Sequence, residues 1–156
     1  MPLNIEARWD KPVPLSVAAS GAIYECTDLD AISQEPGVYI FFRQHGDRVS
    51  PLYIGRSKNL RQRVKQHLNS VRLMQAIYEA ESGSRYVICC RPVPKSGQDL
   101  DRVLRIMERS LLDHAMSEGH DLRQKQGLKP PHHTISFRGN RTSEKIARRF
   151  MRIRVR

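Results

Sequence analysis

The feature that most constrains the fold is a pair of apolar runs at hairpin distance, Val38-Tyr39-Ile40-Phe41-Phe42 and Pro51-Leu52-Tyr53-Ile54-Gly55. Both are rich in β-branched and aromatic side chains, which fit a pleated, half-buried surface. Glu35-Pro36-Gly37 punctuates ahead of the first run. A polar turn from Arg43 to Ser50, containing His45-Gly46-Asp47, separates the two. Strands joined this closely pair antiparallel. Arg85 to Pro92 reads as a third strand.

Helical spacing occupies the intervals. Leu60, Val64, Leu68 and Val71 recur at i, i+4, i+8 and i+11 behind Ser57, which is placed to cap a helix running to about Leu68. A second helical stretch covers roughly 72–81. Asp99 or Asp101 opens a longer helix through about Met116, with Leu100, Val103, Leu104, Met107, Leu111 and Ala115 as its apolar stripe. Residues 119–131 read as loop, Thr134 to Phe137 as a short extended segment, and Ser143 to Phe150 as a last short helix. Residues 1–34 are rich in proline early and weakly periodic, an N-terminal extension expected to pack onto the core without defining it.

At 156 residues the chain supports one core of ordinary size. Its 27 Lys and Arg against 16 Asp and Glu leave a net charge of +11. Such a surplus predicts a polyanionic partner, and nucleic acid rewards it because each neutralised phosphate releases counterions. No amphipathic stretch pairs a basic face with the apolar face that a membrane surface needs. From Arg138 to Arg156 eight basic residues stand against Glu144 alone, a docking surface for phosphate. Cys26 and the adjacent Cys89 and Cys90 form no CxxC spacing and no disulfide framework. The N-terminus lacks the order of a signal peptide, and no apolar run approaches the ~18 residues of a membrane span. The expectation is a soluble cytoplasmic protein.

Ionisable residues fall where apolar ones belong. On the first helix Arg63 and His67 edge onto the stripe of Leu60, Val64 and Leu68, and being four apart they can converge on one point. On the third helix Glu108 sits at the edge of the apolar stripe. A carboxylate there either pairs with a cation, Arg63 being the plain partner, or holds a metal.

Taken together, Gly37-Val38-Tyr39, Tyr53-Ile54-Gly55, Arg63, His67, Glu108 and Asn140 resemble, in order, the signature of the GIY-YIG nucleases. Arg63 stands ten residues and His67 fourteen after Tyr53, as in that family. The first triplet reads GVY for GIY, which keeps the strand and the tyrosine. The resemblance covers about 35–140, and so divides the chain into the extension 1–34, a nuclease-like domain 35–140 and an arginine-rich segment 141–156. It implies an α/β (α+β) domain, a small three-stranded antiparallel sheet flanked by helices. It implies a divalent-metal-dependent endonuclease hydrolysing phosphodiester bonds in DNA, with one Mg²⁺ or Mn²⁺ ion on Glu108. By analogy Tyr39 acts as or orients the general base, Tyr53 shares its hydrogen-bonded site, and Arg63 pairs with the scissile phosphate. His67 positions Tyr39 or the water, and Asn140 steadies the site. A tyrosine base requires nearby positive charge to lower its pKa from about 10, and Arg63 and the metal are placed to supply it. Arg56, Lys58, Arg138 and Arg141 are assigned to substrate phosphates. Two readings stand beside this one: a catalytically inactive nucleic-acid-binding module of the same fold, and an RNA-directed protein. A targeting partner protein stays open as the source of specificity, and a homodimer as the source of the second site that a double-strand cut needs.

Overall fold

The computed structural model describes residues 2–19, 24–124, 133–147 and 149–153. At its centre, β4 (Gly37–His45) and β5 (Arg48–Ser57) form an antiparallel hairpin longer than the apolar runs alone. The connection narrows to Gly46 and Asp47, and Gly46 takes φ 59°, a left-handed conformation that glycine adopts without a steric penalty. The register shifts between Phe41, opposite Tyr53, and Phe42, opposite Pro51, so Leu52 is an extra residue in β5.

On the other side of β4 runs β6 (Ser84–Pro92), antiparallel, with Val38 opposite Cys90 and Phe42 opposite Tyr86. The three strands expected from sequence are therefore present, but the sheet has six. The N-terminal segment contributes β1 (Ala7–Trp9), β2 (Val13–Val17) and β3 (Tyr24–Glu25), giving the order β3-β2-β6-β4-β5 with β1 also pairing β6. These additions are two to five residues long, and β2 contains Pro14, which cannot donate to a ladder. Shortness and proline hid them from a pattern search. All pairings are antiparallel, so the fold is α+β.

Side chains alternate between faces along a strand. Tyr39 and Phe41 share one buried cluster with Leu60, Val64, Met74 and Ile77. That face is covered by α1 (Leu60–Leu68) and α2 (Val71–Tyr78). Val38, Ile40 and Phe42 point the other way, and α3 (Leu100–Ser117) packs on β4 and β5. Asn59, not Ser57, caps α1, its side chain accepting from the Gln62 amide at 3.1 Å; Ser57 ends β5. Val71 opens α2 and is 63% exposed, so it does not extend the stripe of α1. On α3 Leu112 is buried and Leu100 exposed, which shifts the expected stripe by a fraction of a turn. Asp99 caps that helix.

Two buried polar features complete this unit. The Arg85 guanidinium donates to the carbonyls of Ile77, Ala80, Glu81 and Gly83, satisfying acceptors that the end of α2 leaves open. Beside the edge strand β5, the Arg123 amide donates to the Leu52 carbonyl at 2.6 Å. The Gln124 carboxamide both accepts from the Ile54 amide, at 2.7 Å, and donates to its carbonyl, at 2.8 Å.

Met1–Gln124 and Lys125–Arg156 are separate compact units. In the second, β7 (His133–Ser136) and β8 (Phe150–Ile153) pair antiparallel, and α4 (Arg141–Ile146) lies between them in sequence. The expected helix 143–150 thus starts earlier and yields to a strand. The Asn140 side chain sets the start by accepting from the Thr142 and Ser143 amides. Most of the expected loop 119–131, together with Arg148 and residues 154–156 of the basic tail, lies outside the described residues.

Candidate active site

Two glycines make room for the site. A Cβ at Gly55 would lie 2.2 Å from the Tyr39 hydroxyl, and one at Gly37 would lie 2.5 Å from the Cys90 carbonyl oxygen and 2.8 Å from Leu60 Cδ1. The Tyr39 ring therefore runs across β4 and ends over the backbone of β5. From sequence, Gly37 reads as punctuation ahead of β4 and Gly55 as the end of the second apolar run. The available signal was that a glycine inside a strand marks a close approach.

The hydroxyl of Tyr39 meets His67 Nε2 at 2.6 Å. His67 lies on α1, one turn beyond Val64, and is 8% exposed. Its ring sits 5.3 Å from Tyr39, 6.0 Å from Phe41 and 5.2 Å from Tyr53, centroid to centroid. Tyr53 stacks on Tyr39 at 6.3 Å with 14° between planes. Burial, with Arg63 adding repulsion, lowers His67 to about 4, so the imidazole is neutral near pH 7 and Nε2 can accept.

Burial raises Tyr39 well above the ordinary tyrosine value, and Tyr53 pushes the same way. Arg63 pulls it down by hydrogen bonding and charge, the direction expected from sequence, but burial outweighs it. Tyr39 is thus a protonated donor to His67. Arg63 itself is exposed and also bonds Gln66 Oε1 at 3.1 Å, instead of edging into the apolar stripe.

Glu108 stands on α3, its side chain 20% exposed, and pairs with Arg56, not with Arg63. Its charge reaches Tyr39 and raises it slightly further. Lys58 pairs with Asp101, also on α3, at 3.2 Å. Both basic residues after Gly55 are thus held by acids, where sequence assigned them to phosphate. Among the described residues no group of three or more His, Cys, Asp or Glu side chains is arranged to hold a metal ion. A single carboxylate without sulfur or imidazole neighbours in its ligand set suits a hard cation that keeps most of its waters, as Mg²⁺ does.

Tyr39, Tyr53, Arg56, Lys58, Arg63, His67 and Glu108 all belong to the first unit. Asn140, Arg138 and Arg141 belong to the second, where Asn140 caps α4 and the two arginines are exposed.

Residues 35–84 match the family model of the UvrC-like GIY-YIG domain. The matched segment includes both tyrosine triplets, Arg56, Lys58, Arg63 and His67, and ends before Glu108. No curated protein and no solved structure matches the chain.

Proposed function

From the match of residues 35–84 to the family model of the UvrC-like GIY-YIG domain, we propose that the protein is an endonuclease of the GIY-YIG nuclease type, hydrolysing DNA phosphodiester bonds with one Mg²⁺ or Mn²⁺ ion. The observation that carries this reading is the Tyr39–His67 hydrogen bond, buried beneath Gly55. Hydrolysis needs a water that loses a proton as it attacks phosphorus. Neutral His67 takes the Tyr39 proton at Nε2 while Tyr39 Oη takes one from the water. The net result is a hydroxide equivalent and a charged imidazole, with no free tyrosinate. Coupling the two transfers avoids a buried tyrosinate and leaves the positive charge on His67, where the negative charge of the bound phosphate offsets the burial that lowers its basicity.

Tyr53 holds the Tyr39 ring by stacking. Arg63 offers its planar fork to the scissile phosphate, and Arg56 to the same or a neighbouring phosphate. Glu108 is the residue that would hold the cation. When bound, the ion supplies charge compensation at the phosphate. We assign the Asn140 amide N–H groups, left free by the capping role of its oxygen, to the substrate.

A nucleic-acid substrate is supported by the charge of residues 125–156, ten Lys and Arg against Glu144. The second unit then positions the duplex through phosphates, which carry no sequence information. One site per chain nicks one strand, so a double-strand break requires a second copy. Cys26, Cys89 and Cys90 are free thiols, and burial raises Cys89 to about 12 and Cys90 to about 11, which suits the reducing cytoplasm. No helix among the described residues is long and apolar enough to cross a membrane.

The test is incubation with supercoiled plasmid in Mg²⁺ or Mn²⁺ against EDTA, alongside Glu108→Ala. Metal-dependent nicking by the wild type alone is expected. Retardation of the plasmid without nicking by either protein would favour a binding module, and hydrolysis of a matched RNA but not of DNA would redirect the reading to RNA.

A further inference from the structure

The two basic residues that follow the Tyr53-Ile54-Gly55 triplet are both engaged by α3: Arg56 with Glu108, Lys58 with Asp101. Arg56 is the last residue but one of β5 and Lys58 follows the end of that strand, and both side chains reach α3. Asp101 and Glu108 are seven apart on α3, about two turns, so they share one helix face. Two basic side chains thus meet two acidic ones across the contact between β5 and α3.

The pairs differ in what they occupy. Lys58 and Asp101 are both largely exposed, at 69% and 60%. Arg56 is 42% exposed and Glu108 only 20%, and Glu108 is the carboxylate assigned above to the cation. Arg56 holds Glu108 through one terminal nitrogen, so it cannot give both terminal nitrogens and its full charge to a phosphate meanwhile, and Glu108 cannot give its full charge to a cation while it neutralises Arg56. Each is the other's ligand when both outside partners are away.

We infer that the Arg56–Glu108 ion pair is a latch opened by the nucleic acid: Arg56 transfers to a backbone phosphate, Glu108 is released to the divalent cation, and phosphate and cation bind with positive cooperativity. The inference rests on the reading of Glu108 as cation ligand. A partly exposed ion pair is weak, so the bidentate match of guanidinium to phosphate can displace it. Losing Arg56 leaves the Glu108 carboxylate uncompensated, which raises its attraction for a cation. By linkage the cation must tighten nucleic-acid binding by the same factor. The protein alone is then a poor cation binder, and the ion is recruited with the substrate.

The experiment titrates the full chain with Mn²⁺, reading free ion by electron paramagnetic resonance, with and without a phosphorothioate-linked duplex that resists hydrolysis. Binding to duplex alone is subtracted. The expected result is an apparent Mn²⁺ Kd about tenfold lower with duplex, within the usual range of coupling between sites. Arg56→Gln should bind Mn²⁺ more tightly than wild type without duplex and show a factor near one. Lys11→Gln, at an exposed lysine outside the site, should keep the wild-type factor. Mn²⁺ binding that is lost in Glu108→Gln but unaffected by duplex would overturn the latch and leave the nuclease reading intact, as would Arg56→Gln with unaltered Mn²⁺ affinity. Wild-type Mn²⁺ binding by Glu108→Gln would instead remove Glu108 as the ligand, and the latch with it.

Discussion

Residues 1–124 hold 17 Lys and Arg against 15 Asp and Glu, whereas residues 125–156 hold ten against one. The unit that builds the site is nearly neutral, and much of its basic complement is already engaged. Arg43 pairs with Glu81, Arg56 with Glu108, Lys58 with Asp101, and Arg91 with Asp10 and Glu35, while Arg85 is spent on backbone carbonyls. In the second unit Arg138, Arg141, Lys145 and Arg149 are exposed. On the nuclease reading, chemistry and affinity occupy different lengths of chain. One length is buried and hydrogen-bonded around Tyr39, and the other is exposed, basic and suited to counterion release.

The sharpest break comes from Gly55→Ala, whose Cβ must displace the Tyr39 hydroxyl. We expect cleavage to fall by a hundredfold or more, since a shift of about 1 Å at the reacting groups costs that much. Gly139→Ala, where the new methyl meets the Ser143 side chain alone, its Cβ at 3.3 Å and its hydroxyl, which can rotate away, at 2.4 Å, should leave cleavage near wild type. Equal losses would mean that the two units are not divided in this way.

The next effect belongs to His67. Its ordinary value is 6.5 and its folded value about 4, so between these pH values the unfolded chain binds a proton that the folded protein refuses. Stability is therefore fully present above pH 6.5 and is lost as pH falls toward 4, by about 3 kcal/mol at most. Urea midpoints from pH 7.5 to 4.5 should show this slope in wild type and lack His67's share of it in His67→Gln. Cleavage should decline over the same acidic range.

For the second unit, replacing Arg138, Arg141, Lys145 and Arg149 with Ala should lower the slope of log affinity against log salt by about 3.6 if each meets a phosphate, with kcat at saturating duplex unchanged. Replacing four exposed basic residues of the first unit, Arg8, Lys11, Lys65 and Arg72, should lower it by less than half as much. Equal slopes would erase the charge comparison. The smallest effect expected is at Asn140, which caps α4 and is also assigned to the substrate. Asn140→Ser keeps a capping oxygen and should hold stability while weakening duplex binding a few-fold, with kcat at saturating duplex unchanged. Asn140→Ala should lose about 1 kcal/mol of stability as well. Unchanged duplex affinity in both would leave Asn140 a cap alone.

The central hairpin and β6 were readable as apolar runs of strand length, and α1 and α3 because their apolar residues recur over four or more positions at helical spacing. The joint spacing of Tyr39, Tyr53, Arg63 and His67 carried the resemblance that the family-model match over residues 35–84 repeats. What was missed has local causes. Strands β1 to β3 are too short to show a period, and β8 is interrupted by Arg152 in a run dense with arginine. Projection of α1 placed Arg63 and His67 alike, but only His67 is buried; a flexible arginine at the rim of a stripe turns outward. The partner of Glu108 could not be read because Arg56 is distant in sequence and on a strand. The part of Gly55 became plain only when the Tyr39 ring was seen to end over it.

The carboxamide of Gln124 has a consequence for the company the protein keeps. Strand β5 is the end of the sheet, and an open end of this kind is a template on which another chain can add a strand. Gln124 offers Ile54 the donor and acceptor that a neighbouring strand would offer, and Arg123 does half of this for Leu52. The side chain stands in for a missing strand at the rung beside Tyr53. It removes the hydrogen-bonding invitation where uncontrolled self-association would cover the very residues that must meet substrate.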